Sequence, residues 1–370
     1  MTFDREVWLA PDRPIHTIGN GTQADPFNCL GKRIEDIIAP LGKSVRVNLA
    51  SGRYSTHGFR VPNRFMLSGS GPETEIVFAS ASAKQNFNYP QVRMFADSGW
   101  SNLFVIQDVT LDGNIQVQPE FPTYGRFKIE PVSALVTKGL LLRITIKNWG
   151  CNGADFGLAG FEAFPLSLET YSSGPPWNYD SIYRGLVNLK SDFTFLEISD
   201  CIVERGHFLN GGYCTGVFVK TNQPGQGDRQ PYGVRETLAA LVARNVVKDC
   251  AGIGLGCAFS ENVLFEDNRV ENSKCGVNVD TGRCRNLSFI RNQFLGVSQG
   301  FNIVPAPDSG RIEVSRNVIA LAESFFNPIL KIVEPQYYRN FTDPKTGLVN
   351  GIIQESDNFM MRLPVKEPVS

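Results

Sequence analysis

The chain has 370 residues, with 36 basic and 37 acidic side chains and a formal net charge of −1 at pH 7. Balanced charge provides no broad positive field for DNA or an anionic membrane surface, so neither partner is expected. With 42% hydrophobic residues, 35 glycines and 22 prolines, the composition is that of a turn-rich globular protein and excludes a disordered chain.

The first residues lack the basic stretch and apolar run of a secretory signal. No segment reaches the roughly 18 apolar residues that a membrane helix needs. The sequence as written therefore predicts a cytoplasmic protein, and a secreted one is the alternative if a signal has been removed.

Near the start, the motif Gly19-Asn-Gly-Thr-Gln-Ala-Asp-Pro precedes an amphipathic segment at 32–39, which predicts a short helix ended by Pro40 and Gly42. We assign residues 15–44 to an N-terminal cap built on this helix. Segments that alternate apolar and polar residues follow, separated by glycine turns, and this period-2 pattern predicts strands with one buried face. They are Val45–Leu49, Phe65–Ser68 and Thr74–Phe78.

Four asparagines in the second half of the chain mark a repeat. They follow apolar segments and are separated by 23, 24 and 25 residues, at Asn245, Asn268, Asn292 and Asn317. Between them lie glycine-led alternating strands, so one step contains three short strands and corresponds to one coil of a parallel β-helix. We expect the stacked asparagines to occupy a tight left-handed bend and to bond to each other through their amides.

Earlier coils continue the repeat at irregular length. Asp108, Arg143 and Asp200 match the bend. The spacings between them and on to Asn245 are 35, 57 and 45 residues, and each exceeds one coil. The excess predicts loop insertions near 114–132, 150–184 and 222–236. The coils then cover 45–333, and residues 334–370 form a tail over the last coil, whose open edge would otherwise invite aggregation.

The order of these motifs resembles the pectate-lyase-like right-handed parallel β-helix proteins. It comprises the Gly-Thr motif, the helix, Gly52-Arg-Tyr54, Gly69-Ser-Gly71 and Thr74-Glu-Ile76, followed by asparagine-stepped coils. The likeness covers residues 15–333. It implies an all-β, single-domain, three-sheet parallel β-helix and a tendency toward carbohydrate substrates. It does not fix an activity, because one fold carries many chemistries.

Cysteine and histidine content gives little sign of a metal site. None of the eight cysteines forms a CxxC pair, and only three histidines exist, so we expect buried free thiols and neither a zinc site nor any other cofactor. Ca²⁺ is the weaker alternative, because it would need several carboxylates beside the proposed binding surface.

Aligning the glycine-led strands predicts one surface for ligand binding. Large apolar residues fall inward, and the opposite positions form an outward column one coil apart, roughly 4.8 Å per step. Gly254 and Gly256 leave one coil bare, which either makes room for a ligand or reflects strand packing. The other outward residues are Asn188, Lys190, Phe218, Lys220, Asn278, Asp280 and Asn302.

Lysines in this column suggest β-elimination. Neighbouring Lys190 and Lys220 would lower each other's pKa, and a neutral lysine is a competent base for the C5 proton of a uronate. Arg283 would neutralise the substrate carboxylate, and Asp280 would contact substrate or a proton. The alternative is that both lysines are solvated surface residues. His207 is a further catalytic candidate or a hydrogen-bonded turn residue.

Aromatic residues in the predicted insertions would line the walls of a sugar pocket or anchor the loops themselves. We take Tyr124, Trp177, Tyr179 and Tyr183, with Asn188, Phe218, Asn278 and Asn302, as candidate substrate contacts.

The leading hypothesis is a poly- or oligosaccharide lyase. A glycoside hydrolase or glycosyl-transferring enzyme with paired carboxylates is the runner-up. An intracellular small-metabolite enzyme and a non-catalytic, glycan-binding tailspike-like protein remain alternatives. The predicted partner is a carbohydrate or small molecule, and the protein is a monomer or homo-oligomer, with a trimer among the options.

Overall fold

The computed structural model is a right-handed parallel β-helix, which confirms the fold class predicted from the sequence. Most described segments are short strands, and consecutive coils pair them in parallel. No helix among the described residues is long or apolar enough to cross a bilayer. The structure describes residues 2–11, 18–79, 91–96, 102–117, 120–121, 125–126, 128–135, 138–152, 157–158, 161–164, 195–209, 214–219, 238–250, 252–257, 260–279, 284–304, 309–322, 336–338, 341–342, 349–350 and 353–362.

The described helical segments are α1 (Ile34–Ile38) and two 3₁₀ turns, Ala39–Leu41 and Ile115–Val117. The strands in the first half of the chain are β1 (Arg5–Ala10), β2 (Phe27–Asn28), β3 (Ser44–Leu49), β4 (Gly52–Thr56), β5 (Phe59–Arg60), β6 (Arg64–Ser68), β7 (Thr74–Phe78), β8 (Gln91–Ala96), β9 (Leu103–Gln107), β10 (Thr110–Asp112), β11 (Glu120–Phe121), β12 (Gly125–Arg126), β13 (Lys128–Leu135), β14 (Lys138–Leu142), β15 (Thr145–Lys147), β16 (Trp149–Asn152), β17 (Gly157–Leu158) and β18 (Phe161–Phe164).

The strands in the second half are β19 (Phe195–Ser199), β20 (Ile202–Leu209), β21 (Cys214–Val219), β22 (Ala240–Ala243), β23 (Val246–Cys250), β24 (Ile253–Cys257), β25 (Glu261–Glu266), β26 (Arg269–Glu271), β27 (Cys275–Val279), β28 (Arg285–Ile290), β29 (Gln293–Val297), β30 (Gln299–Ile303), β31 (Ile312–Ser315), β32 (Val318–Leu321), β33 (Gln336–Tyr338), β34 (Phe341–Thr342), β35 (Val349–Asn350), β36 (Ile353–Ser356) and β37 (Phe359–Arg362).

Three parallel runs of strands make up the helix. Sheet 1 has the order β2-β1-β3-β6-β9-β14-β19-β22-β25-β28-β31-β36. Sheet 2 runs β4-β7-β10-β15-β20-β23-β26-β29-β32-β37. Sheet 3 runs β5-β8-β13-β18-β21-β24-β27-β30-β33. Each coil visits the three in that order before the next coil begins on sheet 1.

The core follows from this register, because the same inward position is apolar in coil after coil. On sheet 1 the rings of Phe265 and Phe289 are paired in register and stack with centroids 4.7 Å apart. Phe294 of sheet 2 meets Phe301 of sheet 3 edge to face at 5.0 Å, which ties the two sheets together. All four are fully buried, and the alternation of the sequence is the cause, since every second residue of a strand faces the same side.

The predicted asparagine repeat forms a buried amide ladder. The Nδ2 atoms of Asn245, Asn268 and Asn292 each donate to Oδ1 of the next asparagine, at 2.9, 2.9 and 3.1 Å. Asn317 continues to a fifth member, Asn358, at 2.9 Å. Each ladder oxygen also accepts a backbone N–H of the preceding coil, at 2.9–3.0 Å. The ladder therefore satisfies buried polar groups that a turn would otherwise leave without partners.

The left-handed bend, by contrast, lies one residue before each asparagine, so our assignment of that geometry to the asparagines is wrong. At this bend the residue with positive φ is a charged one, an aspartate or an arginine, and its φ lies between 52° and 58°. This column consists of Asp108, Arg143, Asp200, Arg244, Asp267, Arg291, Arg316 and Asp357.

Aspartates and arginines in this column pair from one coil to the next. Arg143 lies 2.7 Å from Asp108, Arg244 2.8 Å from Asp200, and Arg291 2.8 Å from Asp267. Hydrogen bonds from the arginines hold the pKa of Asp200 and of Asp267 below the ordinary aspartate range. Because these side chains are largely exposed, solvent screens the pairs and each stabilises the fold only modestly.

Both ends of the stack have local closures. At the N-terminal end, α1 packs Ile34 and Ile38 onto the first coils, and Glu35 accepts hydrogen bonds from the Thr56 hydroxyl and the His57 amide, both at 2.8 Å. At the other end, β36 and β37 extend sheets 1 and 2. There Asn358, the last asparagine of the ladder, donates to the Glu355 carboxylate at 3.0 Å instead of to an asparagine of a further coil.

We expect Asn268→Asp to lower the free energy of unfolding by more than about 3 kcal/mol. The substitution removes two buried donors, to Val242 O and Asn292 Oδ1, and introduces a buried carboxyl in their place. Urea unfolding followed by circular dichroism measures this free energy of unfolding.

The matched control is Asn286→Asp, which breaks an amide pair with Asn262, 3.0 Å long, on an exposed face. Its effect should stay within about 1 kcal/mol. Equal losses in the two variants would contradict the ladder's role.

Candidate functional site

Strands β21, β24, β27 and β30 of sheet 3 provide the surface on which the predicted ligand column lies. Their inward residues Val217, Leu255, Val277 and Phe301 are in register and buried in the core. The next position along each strand faces the opposite side, because side chains alternate. That outward column consists of Phe218, Gly256, Asn278 and Asn302.

The outward column is enclosed rather than open to solvent. Phe218 is 5% exposed, and Asn278 and Asn302 are each 7% exposed. The Nδ2 of Asn302 donates to Oδ1 of Asn278 at 2.6 Å, so the two amides of neighbouring coils form one pair. An aromatic ring and a buried amide pair therefore share one face of sheet 3.

Gly256 is not bare, contrary to one expectation from the sequence. A Cβ atom at this position would lie 2.7 Å from Cδ2 of Phe218 and 3.1 Å from the Thr215 methyl group. The Phe218 ring thus extends over the next coil, and the glycine makes room for that ring. The Phe218 ring consequently covers the coil directly before Asn278, although Phe218 itself belongs to the coil before that one.

Gly254 does not belong to the outward column, which corrects its assignment from strict alternation. A Cβ here would collide with both methyl groups of the buried Val270 and approach Gly276 O at 3.0 Å. Gly216, Gly276 and Gly300 make the same approach to core residues of sheet 2 in the following coil. The glycine column therefore exists because sheets 2 and 3 meet there too closely for a side chain.

Among the described cysteines of this sheet, Cys275 is not a candidate nucleophile. Burial raises the pKa of the Cys275 thiol, on the same strand as Asn278, to about 12, which keeps it protonated and unreactive at neutral pH. Its Sγ donates to Val277 O at 3.0 Å. The described cysteines are free and buried, at Cys29, Cys201, Cys250, Cys257, Cys275 and Cys284.

Several predicted site residues lie outside the described residues, so their roles stay predictions. His207 lies in β20, where its backbone pairs with Gly150, and its side chain is not among those described. Val219 and Val279, which precede Lys220 and Asp280 in sequence, are in register through Cys257. The predicted residues outside the described part are Lys190, Lys220, Asp280, Arg283, Asn188, Tyr124, Trp177, Tyr179 and Tyr183.

Metal binding gains no support from the described side chains. No group of three or more histidine, cysteine, aspartate or glutamate side chains in that part of the chain could hold an ion. The expectation of no cofactor, with Ca²⁺ as the weaker alternative, stays a prediction.

A second polar surface, not predicted from the sequence, lies on the outward face of sheet 2. Lys147 contacts Glu75 at 2.7 Å and Asp112 at 3.7 Å, and Lys248 contacts Glu204 at 2.7 Å. The alternation of charge between coils becomes visible only once the strand register is known. Because these charges pair with each other, this surface stabilises the stack and is a weaker candidate for ligand binding than sheet 3.

No protein-family model and no curated protein matches the sequence. Among solved structures, the chain is similar to pectate lyase Pel9A, with 11% identity, a TM-score of 0.48, and coverage of 99% of this chain and 80% of that one. It is also similar to the A-module of the Azotobacter vinelandii mannuronan C-5 epimerase AlgE6, with 11% identity, a TM-score of 0.44 and 90% of each chain covered.

A third similar structure is a pectin methylesterase in complex with a hexasaccharide, with 10% identity, a TM-score of 0.37, and coverage of 99% of this chain and 92% of that one. All three TM-scores are below 0.5, and the β-helix assignment rests on the strand registers described above.

The two glycines of β24 should respond differently to substitution. We expect Gly254→Ala to destabilise the fold by about 2 kcal/mol or more, because its methyl group would enter the packed core at Val270. Gly256→Ala should cost less than half as much, since the Phe218 ring can rotate away from the new methyl group. Unfolding midpoints in urea test the difference, and a larger loss for Gly256→Ala would contradict the assigned directions.

Proposed function

We propose that the protein is a carbohydrate-active enzyme that cleaves a uronate-containing poly- or oligosaccharide by β-elimination, with its substrate on the outward face of sheet 3. The observation that carries this proposal is the column of Phe218 and the Asn278–Asn302 amide pair, in register on neighbouring coils. Aromatic faces pack against the apolar faces of sugar rings, and amides form hydrogen bonds with sugar hydroxyls. Val219 and Val279, at the ends of β21 and β27, are two coils apart.

The chemistry comes from the residues that follow those two strand ends. In this proposal Lys220 and Asp280 act on the same substrate from these two strand ends, which lie two coils, or roughly 10 Å, apart. Lys220 in its neutral form, or Lys190 as the alternative base, removes the C5 proton. The electron pair forms the C4=C5 double bond as the O4 leaving group departs, while Arg283 neutralises the carboxylate and stabilises the enolate-like intermediate.

The enclosure of the column favours a second candidate, an enzyme that acts on a short oligosaccharide or another small molecule. Asn278 and Asn302 are buried, as in a pocket, whereas an open groove for a long polymer would leave its polar floor exposed. In this case Asp280, with a second carboxylate, supplies acid–base chemistry.

The lyase proposal predicts ultraviolet absorbance from the new double bond when the protein is incubated with uronate-containing glycans. Lys220→Ala and Lys220→Arg should each lower the rate by about 100-fold or more, because arginine keeps the charge and cannot act as a base at neutral pH. Lys138→Ala on sheet 1 is the matched control and should leave the rate unchanged.

Comparison of polymers with short oligomers separates the two candidates. Absorbance with both supports the lyase, and turnover confined to oligomers favours the enclosed pocket. Retained activity in Lys220→Arg would overturn the proposed base. New reducing ends without absorbance would move the assignment to a hydrolase.

A further inference from the structure

The amide pair on sheet 3 has hydrogen-bonding capacity that the described residues do not use. Asn302 Oδ1 is buried and has no hydrogen-bond partner in that part of the structure. Its Nδ2 is committed to Asn278 at 2.6 Å, so the amide cannot rotate to satisfy the oxygen without losing that bond. A buried acceptor without a donor is unfavourable and is uncommon in native proteins.

The pair as a whole presents one acceptor and one donor. Because Asn278 uses its Oδ1 to accept from Asn302, its own Nδ2 takes no part in this bond and is the donor that complements the unpaired Oδ1 of Asn302. Exchanging both amide orientations would reverse the roles and leave the same pairing of one donor with one acceptor. Two neighbouring hydroxyl groups are complementary to this arrangement, since one can accept and the other donate.

The surroundings distinguish a sugar from other hydroxyl compounds. Phe218 extends over Gly256, the position next to Asn278 in the column, and so supplies an apolar ring one coil away. Pyranose rings combine an apolar face with a rim of hydroxyls, and aromatic side chains pack on that face. No residue of this four-residue column, Phe218, Gly256, Asn278 and Asn302, is charged, so the column suits the neutral part of a sugar.

We infer that Asn278 and Asn302 together bind a vicinal pair of free hydroxyls on one glycosyl ring whose apolar face lies against Phe218. This inference rests on the proposed function in placing a glycan on sheet 3, and it specifies the substrate class. The ligand is a glycan with two adjacent unsubstituted hydroxyls at this ring, and acetylation of those hydroxyls weakens binding.

The test is calorimetric binding of short oligogalacturonates, oligomannuronates, manno-oligosaccharides and galacto-oligosaccharides, measured in the Lys220→Ala background so that no turnover interferes. The tightest-binding probe is then compared with its O-acetylated form. We expect the double variant Asn278→Leu/Asn302→Leu to bind the probe at least about 10-fold more weakly. With both asparagines present, acetylation of the probe should weaken its binding by the same factor. Asn286→Asp, which breaks an exposed amide pair with Asn262, should change neither quantity.

Thermal stability distinguishes a binding role from a structural one. Replacing both amides removes a buried acceptor that lacks a donor, so the double variant should melt no lower than the parent. A lower melting temperature with unchanged affinity, or no binding of any probe up to about 10 mM, overturns the inference. Loss of affinity in the double variant supports it even if Lys220 proves not to be a base, which separates its failure from that of the lyase proposal.

Discussion

The backbone hydrogen bonds between consecutive coils constrain everything else in this structure. Each strand must find its equivalent in the next coil, residue for residue, so a side chain at one position repeats at roughly 4.8 Å intervals along the stack. The bend between sheets 1 and 2 breaks this pairing, and the asparagine ladder restores it. Asn268, for example, donates both amide protons and accepts from the coil before it.

The same register builds the core and the candidate site. Inward, it stacks phenylalanines such as Phe265 and Phe289. Outward on sheet 3, it brings Asn278 and Asn302 within hydrogen-bonding distance although 24 residues separate them. Outward on sheet 2, it pairs Lys248 with Glu204. The three faces differ only in which residue types recur, which is why one scaffold can carry structural and ligand-binding columns side by side.

Much of the fold could be predicted because buried repeats impose a fixed step on the sequence. The asparagines were recognisable since their spacing reflects the length of a coil. The left-handed residue was assigned one position late because Arg244 and Asn245 recur in the same phase, and only the backbone distinguishes them. Alternation also places Gly254 outward, because it does not show how closely β24 approaches Val270 of the following coil.

The candidate site was predictable only in part, for a related physical reason. Alternation identifies Phe218, Asn278 and Asn302 as outward residues, and their register agrees. Periodicity does not reveal their burial, because alternation shows which side of a strand a residue faces and not how exposed that side is. The roles of Lys220, Lys190 and Asp280 stay predictions, because residues that follow a strand are positioned by loop geometry rather than by the repeat.

Hydrogen–deuterium exchange with and without the tightest-binding oligosaccharide tests most directly whether sheet 3 is the ligand-binding face. If it is, backbone amides of β21, β27 and β30 exchange more slowly in the complex, while those of β25 and β28 on sheet 1 are unchanged. Protection confined to strands of sheet 1 or sheet 2, with sheet 3 unaffected, would contradict the account.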